Sequence, residues 1–205
     1  MARICVMTSQ ARAYYSLVSR LREAGLPFTS LVTGTRCSES DLVLTTRAEV
    51  GTIGPGALPA EQLDDDPFIF KGQVLSRMVG GRETLLIGVD PGRRIGMAAF
   101  YGDVNLEFST FGSAEVLCSR VAAYANKVPA KGWLVRIGNG NSALAMGLAL
   151  SVVNRVPNAA VEIVDEAGTS VKGLRMKGVQ GDQRAAARIA LRKGIAFNQP
   201  PRNRV

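Results

Sequence analysis

Short hydrophobic runs alternate with helically spaced hydrophobic positions along the first part of the chain. Residues 3–7 form an apolar run, and apolar positions within residues 10–24 recur with the spacing of one helix face. Residues 28–32 and 41–45 are two further short stretches rich in residues that favour strands. Because strands that alternate with a helix are typical of an α/β arrangement, the pattern predicts a small α/β domain over residues 1–66.

The composition then changes to that of a connecting segment. Residues 51–66 are rich in glycine and proline and end on the acidic run 64–66, where neighbouring aspartate side chains would diverge rather than share a metal ion. We interpret this run as a solvated turn that ends the first domain. Residues 67–82 are interpreted as a linker, with 68–74 as one more strand or an extended connector, before a second domain over residues 83–205.

The second domain begins with three successive strand patterns that are separated by tight turns. Helix and strand patterns then alternate, which gives the order βββαβαβα. This order predicts a mixed sheet, because an antiparallel meander is followed by strands that are connected through helices. The predicted strands are 84–89, 95–101, 104–111, 133–137 and 160–164, and the predicted helices are 113–126, 142–156 and 182–193.

An aspartate stands at the end of the first strand of this domain. Asp90 precedes Pro91 and Gly92, whose turn chemistry bends the backbone and keeps it small. A ligand or a metal ion could therefore approach the carboxylate, with Arg93 and Arg94 supplying positive charge beside it. A plain hairpin turn would use the same residues, so this stretch alone leaves both interpretations open.

Positive charge is concentrated in the second half of the sequence. The net charge is +8, but residues 1–80 contain eight basic and eight acidic residues, so the whole surplus lies in residues 81–205. A local basic surface of this kind favours binding to the phosphate backbone of a nucleic acid over a merely solvated surface. The basic residues of the C-terminal stretch are Lys172, Arg175, Lys177, Arg184, Arg188, Arg192, Lys193, Arg202 and Arg204.

The composition argues against several kinds of site. The chain contains no histidine, which removes mechanisms that use an imidazole base, and its three widely spaced cysteines argue against a disulfide framework and a zinc site. No hydrophobic run is long enough to span a bilayer. The N-terminal residues lack the pattern of a secretory signal, so we expect a cytoplasmic protein without a membrane partner.

Four segments of the second domain together resemble the ribonuclease H-like superfamily, and within it the RuvC-type Holliday-junction resolvases and the YqgF-type pre-ribosomal-RNA nucleases. The segments are IGVDPGRRIGMA at the first strand and hairpin, RIGNGNS after the fourth strand, EIVDEAGTS after the fifth, and GDQRAAARIALRKG in the last helix. The resemblance covers residues 83–197 and implies a ribonuclease H-like mixed sheet. The preceding α/β domain matches neither family.

The resemblance implies a nuclease site made of carboxylates that hold Mg²⁺ or Mn²⁺. The implied metal ligands are Asp90, Asp165, Glu166 and Asp182, of which Asp90, Glu166 and Asp182 are the implied catalytic residues, with Asp165 as a close alternative to Glu166. The sequence departs from the families at two positions. Asn139 stands where RuvC-type enzymes supply a glutamate, and Ala167 stands where an Asp-Glu-Arg segment has its arginine.

The last predicted helix carries an acid and a row of basic residues. The spacing of Asp182 from the apolar positions puts its carboxylate on the face that packs on the sheet, although an aspartate here could equally cap the helix. Arg184, Arg188 and Arg192 recur every four residues and form a stripe on a different face. The other residues that we expect to contact nucleic acid are Arg93, Arg94, Asn139, Lys172, Arg175 and Lys177.

Two functions fit these features. The first is metal-dependent cleavage of structured nucleic acid, either branched DNA or structured precursor RNA. The second is non-catalytic binding to RNA or to the ribosome by a domain that has lost a metal ligand at Asn139. The N-terminal domain could mediate homodimer formation, since resolvases of this type act in pairs on a two-fold junction.

Overall fold

The chain folds into two compact units that divide after Gly81. The structure is a computed structural model that describes residues 2–54, 56–166 and 181–198. The three cysteines are free thiols, as expected from their spacing. In the described ranges, no helix is long and apolar enough to cross a membrane.

The first unit is built on a sheet of four parallel strands in the order β2-β1-β3-β4. Hydrophobic side chains of the central strands are buried against the helices, with Leu17 and Leu21 of the first helix in the same core cluster as Ile4 and Leu44. The elements are β1 (Ile4–Val6), α1 (Ala11–Glu23), β2 (Phe28–Ser30), β3 (Leu42–Thr45), α2 (Val50–Ile53), β4 (Leu58–Pro59), a 3-10 turn (Ala60–Gln62) and α3 (Pro67–Met78).

The segment 67–82 is mainly a helix, and its interpretation as a linker is wrong. Asp66 caps α3, since its side chain accepts hydrogen bonds from the backbone N–H groups of Phe68 and Ile69, both at 3.0 Å. Phe70 and Val74 of α3 are buried in the core of the first unit. The first unit therefore extends beyond residue 66, and the acidic run is the turn that precedes α3, with Asp66 as the helix cap.

The second unit is a mixed sheet of six strands in the order β10-β9-β8-β5-β6-β7. Its first three strands form the predicted antiparallel meander, while β5, β8 and β9 run parallel. The elements are β5 (Thr84–Asp90), β6 (Ile95–Tyr101), β7 (Val104–Phe111), α4 (Ala114–Lys127), β8 (Gly132–Gly138), α5 (Ser142–Arg155), β9 (Ala159–Val164), α6 (Gly181–Ala190) and β10 (Ile195–Ala196). This order confirms the predicted βββαβαβα pattern and adds the short edge strand β10.

The helices of this unit pack on opposite faces of the sheet. Glu107 of β7 is buried against α4, where its carboxylate accepts hydrogen bonds from Arg120 and from the Tyr124 hydroxyl, both at 2.7 Å. On the other face, small residues of α6 such as Ala186 pack against Ala98 and Phe100 of β6. Among the described helices of this unit, α6 is the one that packs on the face on which the alternation of β5 places Gly88 and Asp90.

Candidate metal and nucleic-acid site

Asp90 lies at the end of β5, where the parallel strands of the second unit also end. It is half-buried, and it is paired in register with Gly96 of β6. Burial and the negative charges of Glu166 and Asp182 raise the pKa of Asp90 to about 6. Among the residues that the structure describes, no group donates a hydrogen bond to this carboxylate. Asp90 is therefore an acid with unfavourable electrostatics that a cation would relieve.

Asp182 is brought to the same place by the packing of α6 on β6. A Cβ atom added to Gly96 would lie under 3.0 Å from the Asp182 carbonyl oxygen and 3.2 Å from its Cβ atom. The start of α6 therefore rests directly on the backbone beside Asp90. The helix already includes Gly181, so Asp182 lies within its first turn, and the interpretation of this residue as a helix cap is wrong.

Glu166 follows β9 and turns back over the end of β8. Its Oε1 atom accepts a hydrogen bond of 3.0 Å from the backbone N–H of Gly140. A Cβ atom on Gly138 would lie under 3.0 Å from that carboxylate, so a glycine is needed there. Glu166 contributes to the raised pKa of Asp90, whereas Asp165 is exposed. The structure therefore brings Glu166, rather than Asp165, towards Asp90.

Asn139 supports Glu166 from the loop after β8. Its Oδ1 atom accepts a hydrogen bond of 3.1 Å from the Glu166 backbone N–H. The backbone N–H of Asn139 donates a hydrogen bond of 3.0 Å to the carbonyl oxygen of Val164. The amide oxygen is thus engaged in joining the two loops that follow β8 and β9. Asn139 has a direct structural role here, beside the nucleic-acid contact that the sequence analysis predicts for it.

The acids lie at one edge of the sheet, but their carboxyl groups are not within coordination distance of a common point. In the described ranges, no three aspartate, glutamate or cysteine side chains are close enough to coordinate one ion. Simultaneous coordination by Asp90, Glu166 and Asp182 would require these carboxyl groups to move closer together. Carboxylate oxygens and excess negative charge are the donor chemistry that suits Mg²⁺ or Mn²⁺.

Exposed basic side chains lie on the elements that carry the acids. Arg93 and Arg94 are exposed in the turn after Asp90, and Arg184 and Arg188 are exposed on α6. Arg192 follows the end of α6 and is partly buried. The predicted contact residues Lys172, Arg175 and Lys177 lie outside the described residues.

The positioning of α6 also depends on residues that the sequence analysis did not identify. A Cβ atom on Gly88 would lie under 3.0 Å from the carbonyl oxygen of Ala186. At the other end of the helix, Arg136 of β8 donates a hydrogen bond of 2.6 Å to the Ala190 carbonyl and one of 2.8 Å to the Glu162 carboxylate. Glycines within strand patterns are a general signal of such close backbone approach.

The strand order and the packing of α6 define a ribonuclease H-like α/β fold for the second unit, preceded by a small α/β unit. No protein-family model matches the sequence, and no curated protein matches it. Among solved structures, the chain is similar to Marinitoga piezophila Argonaute, solved in complex with a 5′-OH guide RNA and target DNA. That match has 11% sequence identity and a TM-score of 0.31, and it covers 84% of this chain and 40% of the Argonaute chain. Because this similarity is weak, the assignment of the fold rests on the topology.

Proposed function

We propose that the protein is a metal-dependent nuclease of the RuvC/YqgF-like type that acts on structured nucleic acid. The observation that supports this proposal is the convergence of acids from β5, from the loop after β9 and from α6. Asp182 packs beside the register partner of Asp90, and Glu166 is close enough to raise the pKa of Asp90. The exposed arginines on the same elements supply the positive charge that a polyanionic substrate needs.

The chemistry that we propose for this site is hydrolysis of a phosphodiester with Mg²⁺ or Mn²⁺. Asp90 would hold the ion, and Asp182 and Glu166 would supply further negative charge or ligands beside it. A bound divalent ion lowers the pKa of water and stabilises negative charge on phosphate oxygens. Without histidine in the chain, the described side chains offer carboxylates rather than an imidazole for these steps.

Cleavage assays with four-way junction DNA and with structured precursor RNA, each with Mg²⁺ or Mn²⁺, test the proposal. We expect wild-type protein to cleave one of these substrates and Asp90→Asn to lose at least about 100-fold in rate, since a metal ligand is removed. Asp103→Asn is the matched control, because Asp103 is an exposed acid in the turn after β6. Equal rates for wild type and Asp90→Asn would contradict the proposal.

A non-catalytic RNA- or ribosome-binding function is the second candidate. It is favoured by the absence of a three-acid metal centre within the described residues and by the engagement of Asn139 with Glu166. Binding without cleavage, unchanged by Asp90→Asn, would support this candidate. We also propose that the protein forms a homodimer and that it is cytoplasmic. Sedimentation velocity of the full chain tests whether it is a dimer.

A further inference from the structure

A cavity of about 420 Å³ opens next to the candidate site, between the β5–β6 turn, the start of α4 and the part of α5 from Ala143 to Ser151. Its wall begins at Pro91, the residue that follows Asp90, and includes Ser113 at the start of α4 and Gly147 within α5. Its volume is in the range of roughly 300–1,000 Å³ that is usual for small-molecule pockets. The wall of the cavity therefore reaches the residue next to the acid that we propose as a metal ligand.

The cavity is lined mainly by apolar and small residues. Pro91, Ile95, Leu144 and Leu148 supply its hydrophobic surface, and within the described part of the chain no acidic side chain lines it. Leu144 is 46% exposed although it is a large hydrophobic residue. Exposed hydrophobic surface that continues into a cavity is typical of a binding surface.

The polar groups of the cavity are already engaged within their own helices. The Ser113 hydroxyl accepts a hydrogen bond of 3.3 Å from the Val116 N–H, and the Ser151 hydroxyl donates a hydrogen bond of 2.8 Å to the Gly147 carbonyl. Apart from Arg93 in the β5–β6 turn, the described lining therefore offers few donors for a phosphate group. It suits a flat, largely apolar occupant.

We infer that this cavity takes one unstacked nucleobase of the strand that is bound at Asp90. The inference rests on the proposed function. Arg93, which is exposed and contributes to the wall, supplies a guanidinium group for the base face or the adjoining phosphate. Each serine hydroxyl of the described lining is already held in one hydrogen bond within its own helix, so we expect the cavity to hold purines and pyrimidines without strong preference. Such contacts hold the strand in place beside the acids.

An abasic-site scan of the cleaved substrate tests this inference. A single abasic residue is moved one position at a time across the cut site, and cleavage by the full-length protein is measured. For wild type we expect a loss of about tenfold at one position near the cut, in keeping with the energy of a single base contact. Substitution of one natural base by another at that position should change the rate by less than about threefold.

A variant that fills the cavity provides the second arm. Gly147 lines the cavity and a Cβ atom there meets nothing within 4 Å, so Gly147→Leu is the substitution chosen to add apolar volume to the wall. We expect Gly147→Leu to cleave the intact substrate about tenfold more slowly and to lose the sensitivity to the abasic residue. Gly132→Leu is the matched control, because Gly132 also meets nothing within 4 Å and lies at the start of β8. If Gly147→Leu does not fold, the partly exposed Leu144→Ala serves instead.

The outcomes separate this inference from the proposed function. Normal cleavage with a flat abasic scan would overturn the nucleobase site and leave the nuclease intact. Gly147→Leu with wild-type rates and wild-type sensitivity would overturn it as well. If wild-type protein cleaves no substrate at all, the nuclease proposal is contradicted, and the nucleobase inference that rests on it is overturned with it.

Discussion

At the scale of single residues, the surroundings of Asp90 in the candidate site disfavour its ionised form. Its folded-state pKa of about 6 exceeds the ordinary value of 3.8, first because of burial and then because of Glu166 and Asp182. Between these two pH values the folded protein keeps a proton that the unfolded chain has lost. The free energy of unfolding therefore decreases as the pH rises from about 4 to about 6.

Asp90→Asn should consequently make the protein more stable at pH 7. The amide removes a half-buried negative charge near two others, and we expect a gain of about 1–2 kcal/mol after allowance for partial solvent exposure. The gain should become small at pH 4, where the wild-type carboxyl is protonated. Urea unfolding at the two pH values measures it, with Asp103→Asn as the control. A variant less stable than wild type at pH 7 would show that Asp90 is not repelled by its neighbours.

At the scale of elements, the position of α6 depends on glycines beneath it. Gly96→Ala would force the start of the helix, with Asp182, away from β6. We expect a loss of about 1–3 kcal/mol in the free energy of unfolding, as for other overpacked sites, together with loss of cleavage. Gly132→Ala, at a position with free space around it, should leave both unchanged. Unfolding in urea and cleavage assays distinguish the two variants, and a fully active Gly96→Ala would contradict the role of this contact.

The elements of the second unit could be predicted from the sequence because their patterns are regular and their ends are marked. The predicted helix 113–126, for example, is α4, and Ser113 caps it by accepting a hydrogen bond from the Val116 N–H. The helix α3 was missed because its hydrophobic residues from Phe68 to Phe70 form a compact run that is also typical of a strand. The strand β10 was missed because it has only two residues.

The candidate site was only partly predictable for a different reason. The carboxyl ends of parallel strands share one edge of a sheet, so Asp90 and the residues after β9 could be placed together. The choice between Asp165 and Glu166 depends on the loop, where Gly140 and Asn139 hold Glu166. The approach of Asp182 depends on helix packing over Gly96, and a glycine within a strand signals a close backbone approach without identifying which residue packs there.

At the scale of the whole molecule, the excess of positive charge lies in the half that carries the acids. We expect the affinity for nucleic acid to fall steeply as salt increases, because phosphate neutralisation releases counterions. The triple variant Arg184→Ala, Arg188→Ala, Arg192→Ala should bind nucleic acid more weakly than the wild type, and its affinity should depend less steeply on salt. A matched loss of three charges in the first unit, at the exposed Arg12, Arg22 and Arg47, is the control. Fluorescence anisotropy over roughly 50 to 300 mM salt measures the affinity of each variant and its dependence on salt. An affinity that does not change with salt would contradict nucleic-acid binding.

The central claim is that the acids at the end of β5 form a cation site, and titration of the full-length protein with Mn²⁺ by calorimetry tests it most directly. We expect saturable binding by wild type, which Asp90→Asn abolishes and Asp103→Asn preserves, with tighter binding above pH 6 because the carboxyl must be deprotonated. Equal binding of Mn²⁺ by wild type and Asp90→Asn, or no binding by either, would contradict the claim.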